Sequence, residues 1–272
     1  MPYPNALASA VAIAVALALS PPAAAGDRPS PLVDGPTWED LRLAVMGDAT
    51  IRDGEGLYTL EAPFRAHDAA TVPVRFVQEE GAPEVRRLTL VIDENPAPVA
   101  AEFTFGDAMQ PLDLETRVRV DAYSNLRAIV ETVDGDIYMT GRFVRASGGC
   151  SAPATKDAAA ALAALGEMRV RWYDDAPAQS GVRRDAQVML RHPNYSGLQR
   201  DQITHLFIPP HFVDEIAVHQ GDALLFTMTG GISLSEDPAF RFAYTDTGGA
   251  GLTVQASDTD GGRFEGAFPL GM

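Results

Sequence analysis

Cysteine is nearly absent from this chain: Cys150 is the only one in 272 residues. That excludes an internal disulfide framework and a metal site built from several thiolates. Lysine is as scarce, with Lys156 the single one against twenty arginines. Basic residues are outnumbered, and the net charge of -16 argues against partners that are polyanions, whether nucleic acid or acidic lipid. Motifs for common catalytic chemistry are missing too. There is no Gly-x-Ser-x-Gly elbow, no phosphate-binding glycine loop and no heme-attachment Cys-x-x-Cys-His. The five histidines, His67, His192, His205, His211 and His219, show no metal-type spacing, so neither a metal nor a cofactor site is read here. The acidic glycine turns at 246–251 and 258–262 read as hairpin turns rather than calcium loops.

Long apolar runs are also lacking. The strongest, "ALASAVAIAVALAL" from Ala6 to Leu19, is shorter than the about 20 residues a spanning helix needs. Ala23 and Ala25 behind it fit the A-x-A rule, so residues 1–25 read as a cleavable signal peptide, although no Lys or Arg precedes the run. The expectation is a periplasmic protein with no membrane span after cleavage.

What is present is mostly strand pattern. "TWEDLRLAVM" reads as a short helix with Thr37 as its cap. Short alternating or apolar runs follow, among them "TVPVRFV", "RRLTLVID", "AEFTFG", "LRAIVET" and "IYMTGRFVRA", separated by Gly, Pro, Asp and Asn. Then comes "RASGGCSAP", and after it "TKDAAAALAALG", a helix with Thr155 as N-cap and Gly166 as stop. From Met168 the strand pattern resumes, with "MRVRWYD", "DAQVMLRH", "THLFIP", "ALLFTMT", "FRFAYTD" and "LTVQASD". The spacing predicts an all-β fold of two sandwiches: residues 26–147, a linker at 148–180, and residues 181–272.

Cys150 sits in the linker. Gly148 and Gly149 before it and Pro153 after it disfavour packed regular structure, so the stretch reads as an exposed, flexible arm carrying an accessible thiol. From Val144 to Cys150 an extended arm reaches at most about 20 Å. The reactive species is the thiolate. Arg142 and Arg145 are the sequence candidates for raising its fraction, with two solvated arginines as the bland alternative.

Several motifs resemble a known family. "LEAPFRAHDAATVPVRF", "RRLTLVIDENPAPVAAEFTFG" and "GRFVRASGGC" resemble SoxY, the sulfur-carrying subunit of bacterial thiosulfate oxidation. "VMLRHPNYSGLQRD", "FIPPHFVDEIAVHQGD" and "PAFRFAYTDTGGAGLTVQASDTDGG" resemble its partner SoxZ. The order on one polypeptide is similar to fused SoxYZ-like carriers associated with quinoprotein dehydrogenases. The resemblance implies immunoglobulin-like sandwiches that pack as a pair, and it assigns the carrier role to Cys150. It departs after the thiol: Ser151 and Ala152 stand where the family has glycines, and the chain continues.

The expected protein is therefore not an enzyme but a periplasmic covalent carrier. It would hold a sulfur-containing, thiol-reactive fragment on Cys150 and present it to redox enzymes of a Sox-type or quinoprotein system. An intermolecular disulfide through Cys150 is a further expected partner state. The alternative is an immunoglobulin-like accessory module that docks on a quinoprotein dehydrogenase or its cytochrome, with the cysteine not a carrier.

Overall fold

The computed structural model describes residues 31–33, 35–153, 158–173 and 179–270. The expected signal segment, the cap Thr155 and Lys156 lie outside these residues. The chain opens with helix α1, Pro36–Met46. It begins two residues earlier than a Thr37 cap predicts, with Pro36 in its first turn and Gly35, which offers no side-chain bond, at the cap position. A proline there presets the backbone and has no N–H to leave unsatisfied. The helix rests on the sheet through Trp38, whose ring lies 4.2 Å from the Arg127 guanidinium.

The first half then runs through β1 (Ile51–Asp53), β2 (Tyr58–Glu61), β3 (Val72–Gln78), β4 (Val85–Ile92), β5 (Val99–Phe105), β6 (Asp113–Val118), β7 (Ser124–Thr132) and β8 (Ile137–Val144). Helix α2, Ala158–Ala163, leads to the second half. That half comprises β9 (Met168–Trp172), β10 (Arg183–Leu190), β11 (Val213–Gln220), β12 (Ala223–Gly230), β13 (Ala239–Thr245), β14 (Gly251–Asp258) and β15 (Arg263–Pro269). Strand β9 falls within the stretch read as linker, but it pairs with β10 and extends the second half. "THLFIP" does not form a strand. His205 takes a positive φ of 59°, Asp201 Oδ1 accepts the backbone N–H groups of Ile203 and Thr204, and Pro209 and Pro210 remove two donors.

The fold is all-β, as the pattern predicts, but the halves are joined more intimately than two packed sandwiches. Strand β5 pairs with β12, and β6 pairs with β13. Each sheet therefore continues across the junction, giving a nine-stranded sheet (β1-β8-β7-β4-β5-β12-β11-β14-β15) facing a six-stranded one (β2-β3-β6-β13-β10-β9). Alternation explains the core. In β13, Phe240, Phe242 and Tyr244 point inward, while Arg241 points out to Asp185. Phe226 and Phe240 meet Phe103 of the first half at ring distances of 6.1 and 6.0 Å. One apolar core thus serves both halves, and it holds the loops that leave β6 and β8 against loops of the second half.

Candidate functional site around Cys150

Strand β8 delivers the chain to Arg145, which forms a parallel bridge with Arg65. The next residues run along the segment that leaves β6. Gly148 N–H donates to Asp121 O at 2.7 Å, Gly149 N–H to Val120 O at 3.1 Å, and Cys150 N–H to Asp121 Oδ1 at 3.1 Å. Gly148 adopts φ 77°, a backbone conformation that glycine reaches without strain. Gly149 is needed for a different reason. A Cβ at that position would sit 2.1 Å from Ala69 O and 2.7 Å from Val120 O. The two glycines therefore permit a close docking of the stretch, where the sequence suggested flexibility.

The second half closes the site from above. Ser196 Oγ–H donates to Cys150 O at 2.5 Å, and Gln199 Nε2–H to Ala152 O at 2.9 Å. As a result Cys150 is fully buried, with 0% exposure. This corrects the expectation of an exposed, mobile thiol: composition favoured a loop, and the loop found backbone partners on both halves. Burial pushes the thiol pKa up to about 12; Asp121 adds to the rise and Arg119 opposes it. The docked thiol is neutral and unreactive at ordinary pH.

Arg119 is the cation at this site. Neither Arg142 nor Arg145 takes that place. Arg142 donates to Gly141 O, and the Arg145 guanidinium stacks 4.7 Å from the Phe64 ring. Arg119 follows directly on β6, whose inward positions are Leu114, Thr116 and Val118. Alternation assigns it to the outer face, yet it is only 1% exposed because the loops at 194–199 and 233–235 cover that face. Its Nε donates to Leu234 O at 3.0 Å, Nη1 to Gly149 O at 3.4 Å and Nη2 to Asn194 O at 3.1 Å. Its own backbone is fixed by Ser233 O and by Asn95 Nδ2. Burial lowers its pKa from the usual arginine range, and the charges of Cys150, Glu236 and Asp68 offset part of that. The only sequence signal was an arginine between two valines in "RVRV".

Beneath the cover the structure gathers residues that the sequence reading kept apart. His192, His211 and Asp258 come together with ligand-type atoms within 4.8 Å of one another. This corrects the reading that the histidines have no metal-type grouping, since the grouping forms where the chain leaves β10, enters β11 and ends β14 rather than along the chain. The donor set, however, is already committed. Asn194 N–H donates to His192 Nδ1 at 3.0 Å, and burial lowers the His192 pKa to about 4. A neutral ring that accepts at Nδ1 carries its proton on Nε2, which faces Asp258 Oδ2 at 3.4 Å. His211 Nε2 approaches the same oxygen at 2.9 Å. Asp258 Oδ1 accepts Gly262 N–H at 2.7 Å. The trio is a hydrogen-bonded brace under the loop that supplies Asn194 and Ser196. His205 and His219 lie elsewhere, in the 198–208 loop and on β11.

The Sox resemblance can now be compared with known proteins. A family model for "Sulfur oxidation protein SoxY" matches residues 42–150, and one for "Sulphur oxidation protein SoxZ" matches residues 170–269. The SoxY match ends on Cys150 itself. No curated protein matches the chain. Among solved structures, the sulfur carrier protein SoxY from Chlorobium limicola f thiosulfatophilum is similar over 40% of this chain and 94% of its own, at 25% identity and a TM-score of 0.34. A superoxide reductase (neelaredoxin) from Ignicoccus hospitalis covers 35% of this chain and 93% of its own, at 15% identity and a TM-score of 0.30. The chain is therefore a SoxY-family domain followed by a SoxZ-family domain on one polypeptide.

Proposed function

We propose that the protein is a periplasmic covalent carrier that holds a sulfur-containing fragment on Cys150 and hands it to redox enzymes. The observation that carries this reading is the end of the SoxY match on the chain's single cysteine. The tethered position of that cysteine between the two halves supports it. The docked thiol is buried and neutral, so exchange of cargo requires the stretch 146–153 to lift from the Val120–Asp121 edge and from Ser196. In that undocked state the thiol returns toward its ordinary pKa and becomes a nucleophile. Joining a thiol to thiosulfate, for example, follows RSH + S2O3²⁻ → RS–S–SO3⁻ + H⁺ + 2e⁻. The electron pair must leave to an electron-accepting enzyme, which is the place for a Sox-type or quinoprotein-linked redox partner. The carrier itself supplies only the sulfur atom and the shelter.

The 0% exposure of Cys150 favours one second reading, an accessory module that docks on a quinoprotein dehydrogenase or cytochrome with a structural thiol. Intact-mass measurement of protein purified from its native compartment separates the two. The carrier shows a sulfur-containing mass increment that is removed by reductant and absent from Cys150→Ser. An unmodified chain under every growth condition that supports sulfur or alcohol oxidation favours the accessory module. The same spectrum tests export, since cleavage after Ala25 gives a chain beginning at Gly26.

A further inference from the structure

Among the described residues three arginines are almost wholly buried, and two of them meet an aspartate. Arg127 Nε lies 2.8 Å from Asp93, and Arg184 Nε lies 2.6 Å from Asp246. Arg119 makes no salt bridge among the described residues; its guanidinium meets only backbone carbonyls. A buried charge without a counter-charge is unfavourable, and proteins normally supply one. The carboxylates of Glu236 and Asp68 act on it only through space, and Asp121 is engaged by Cys150 N–H. The group that the guanidinium borders is the Gly149–Cys150 backbone, next to the thiol.

Resting on the carrier reading of Cys150, we propose that Arg119 is the residue that recognises the charge on the cargo, so that the docking site selects an anionic sulfur adduct over a neutral or cationic one. An adduct that ends in a sulfonate, or a persulfide ionised to Cys–S–S⁻, brings the missing negative charge to the buried guanidinium. The unloaded thiol, neutral in the docked state, does not. The site thus binds the loaded arm more firmly than its empty form. Arg119 is fixed by β6 and by its own backbone bonds, whereas the cover is an irregular loop held to the arm by Ser196 and Gln199. Accommodating the extra atoms therefore displaces the 196–199 part of the cover, while Arg119 keeps its bonds to Ser233 O and Leu234 O.

The test uses the full chain and two adducts of nearly equal size. A sulfonatoethyl and a trimethylammonioethyl methanethiosulfonate each react with the Cys150 thiolate. A new S–S bond forms, methanesulfinate leaves with the electron pair of the broken S–S bond, and the thiol proton goes to solvent. Complete loading is checked by intact mass. The readout is the rate at which dithiothreitol, a neutral reductant, releases each adduct from folded protein, divided by the same rate in unfolded protein. The anionic adduct should be protected roughly tenfold more than the cationic one, the factor expected when a charge-assisted contact replaces a repulsive one. Arg119→Met should bring that ratio to one, and Arg119→Lys should restore most of it. Equal protection of the two adducts in the wild type overturns the proposal, and so does an unchanged ratio in Arg119→Met. Should Arg119→Met fail to fold, Arg119→Gln, which keeps hydrogen-bond donors but removes the charge, takes its place, and an unchanged ratio there overturns the proposal. The native-mass experiment fails independently: a chain that carries no natural adduct removes the carrier role whatever the synthetic adducts show.

Discussion

Two loops of this protein trade the places their compositions suggest. The stretch 145–153 is rich in glycine and small residues, the profile of a solvent-exposed arm, yet it carries Cys150 into the interior. The stretch 198–209 holds "THLFIP", an apolar run suited to a core strand, yet Ile203 is 88% and Leu206 69% exposed. The difference lies in available partners. The glycine stretch has no Cβ atoms where Ala69 O and Val120 O approach, so its N–H groups reach carbonyls on a neighbouring edge. The apolar stretch satisfies its backbone locally, through Asp201 and the bridge Arg200↔Phe207, and pairs with no named strand among the described residues. Backbone satisfaction decides burial here, ahead of side-chain hydrophobicity.

The sharpest way to break that comparison is Gly149→Ala. The added Cβ meets two carbonyl oxygens that belong to fixed backbone, so the arm should no longer dock. Alkylation of Cys150 under native conditions should be slow in the wild type, limited by local opening, and about a hundredfold or more faster in Gly149→Ala. Gly148→Ala meets only Ser151 Oγ at 3.8 Å, so it should carry just the about 1 kcal/mol strain of a positive φ. Equal labelling of wild type and Gly149→Ala would show that the close approach does not hold the arm.

A second measurement follows stability into alkali. The unfolded thiol ionises near the ordinary cysteine value of 9.0, and the docked one near 12. Between those values the unfolded chain has lost a proton that the folded chain keeps. Stability therefore falls as pH rises through this window, and it is fully present below it. Cys150→Ala should remove that part of the alkaline loss in chemical denaturation at pH 7 and pH 10.5; an identical loss in both proteins would contradict burial of the thiol. Acid works on the brace beneath the site. His192, lowered from 6.5 to about 4, is neutral when folded and protonates first in the unfolded chain, so stability falls as pH drops from 6.5 to 4. His192→Gln should flatten this limb.

Ser196→Ala probes the cover alone. It removes one hydroxyl donor to Cys150 O and should cost about 1 kcal/mol, speeding native labelling of Cys150 roughly fivefold. No change in labelling would mean that the second half does not help to hold the arm. The smallest effect is expected in the other loop. Ile203→Ser and Leu206→Ser should each change stability by less than about 0.5 kcal/mol, because neither side chain is packed. A large loss at either position would show that this apolar stretch has a structural partner after all.

Much of the fold was legible from the chain. Alternation in "FRFAYTD" gave the inward Phe240, Phe242 and Tyr244, and the apolar run "RRLTLVID" gave central strand β4. Strand β1 was not, since its three residues are recruited by the edge of β8. At the site the sequence singled out Cys150 and its two glycines but assigned the glycines to mobility, and it offered Arg142 and Arg145 as candidate cations, with two solvated arginines as the alternative. Proximity along the chain stood in for proximity in space. Arg119 lies 31 positions before the thiol, and it reaches Gly149 because the exits of β6 and β8 run side by side.

The sequence by itself determined that this is an all-β chain of two strand-rich halves with one thiol between them, because side-chain alternation and turn residues act over a few neighbours. Only the tertiary structure decided that the halves share continuous sheets, that His192, His211 and Asp258 converge, and that Cys150 is sheltered beside an arginine with no carboxylate partner among the described residues. Each of those depends on contacts such as Arg119 to Leu234 or Ser196 to Cys150, between residues 115 and 46 positions apart. Local pattern carries no term for such contacts; they form when β5 and β6 find β12 and β13.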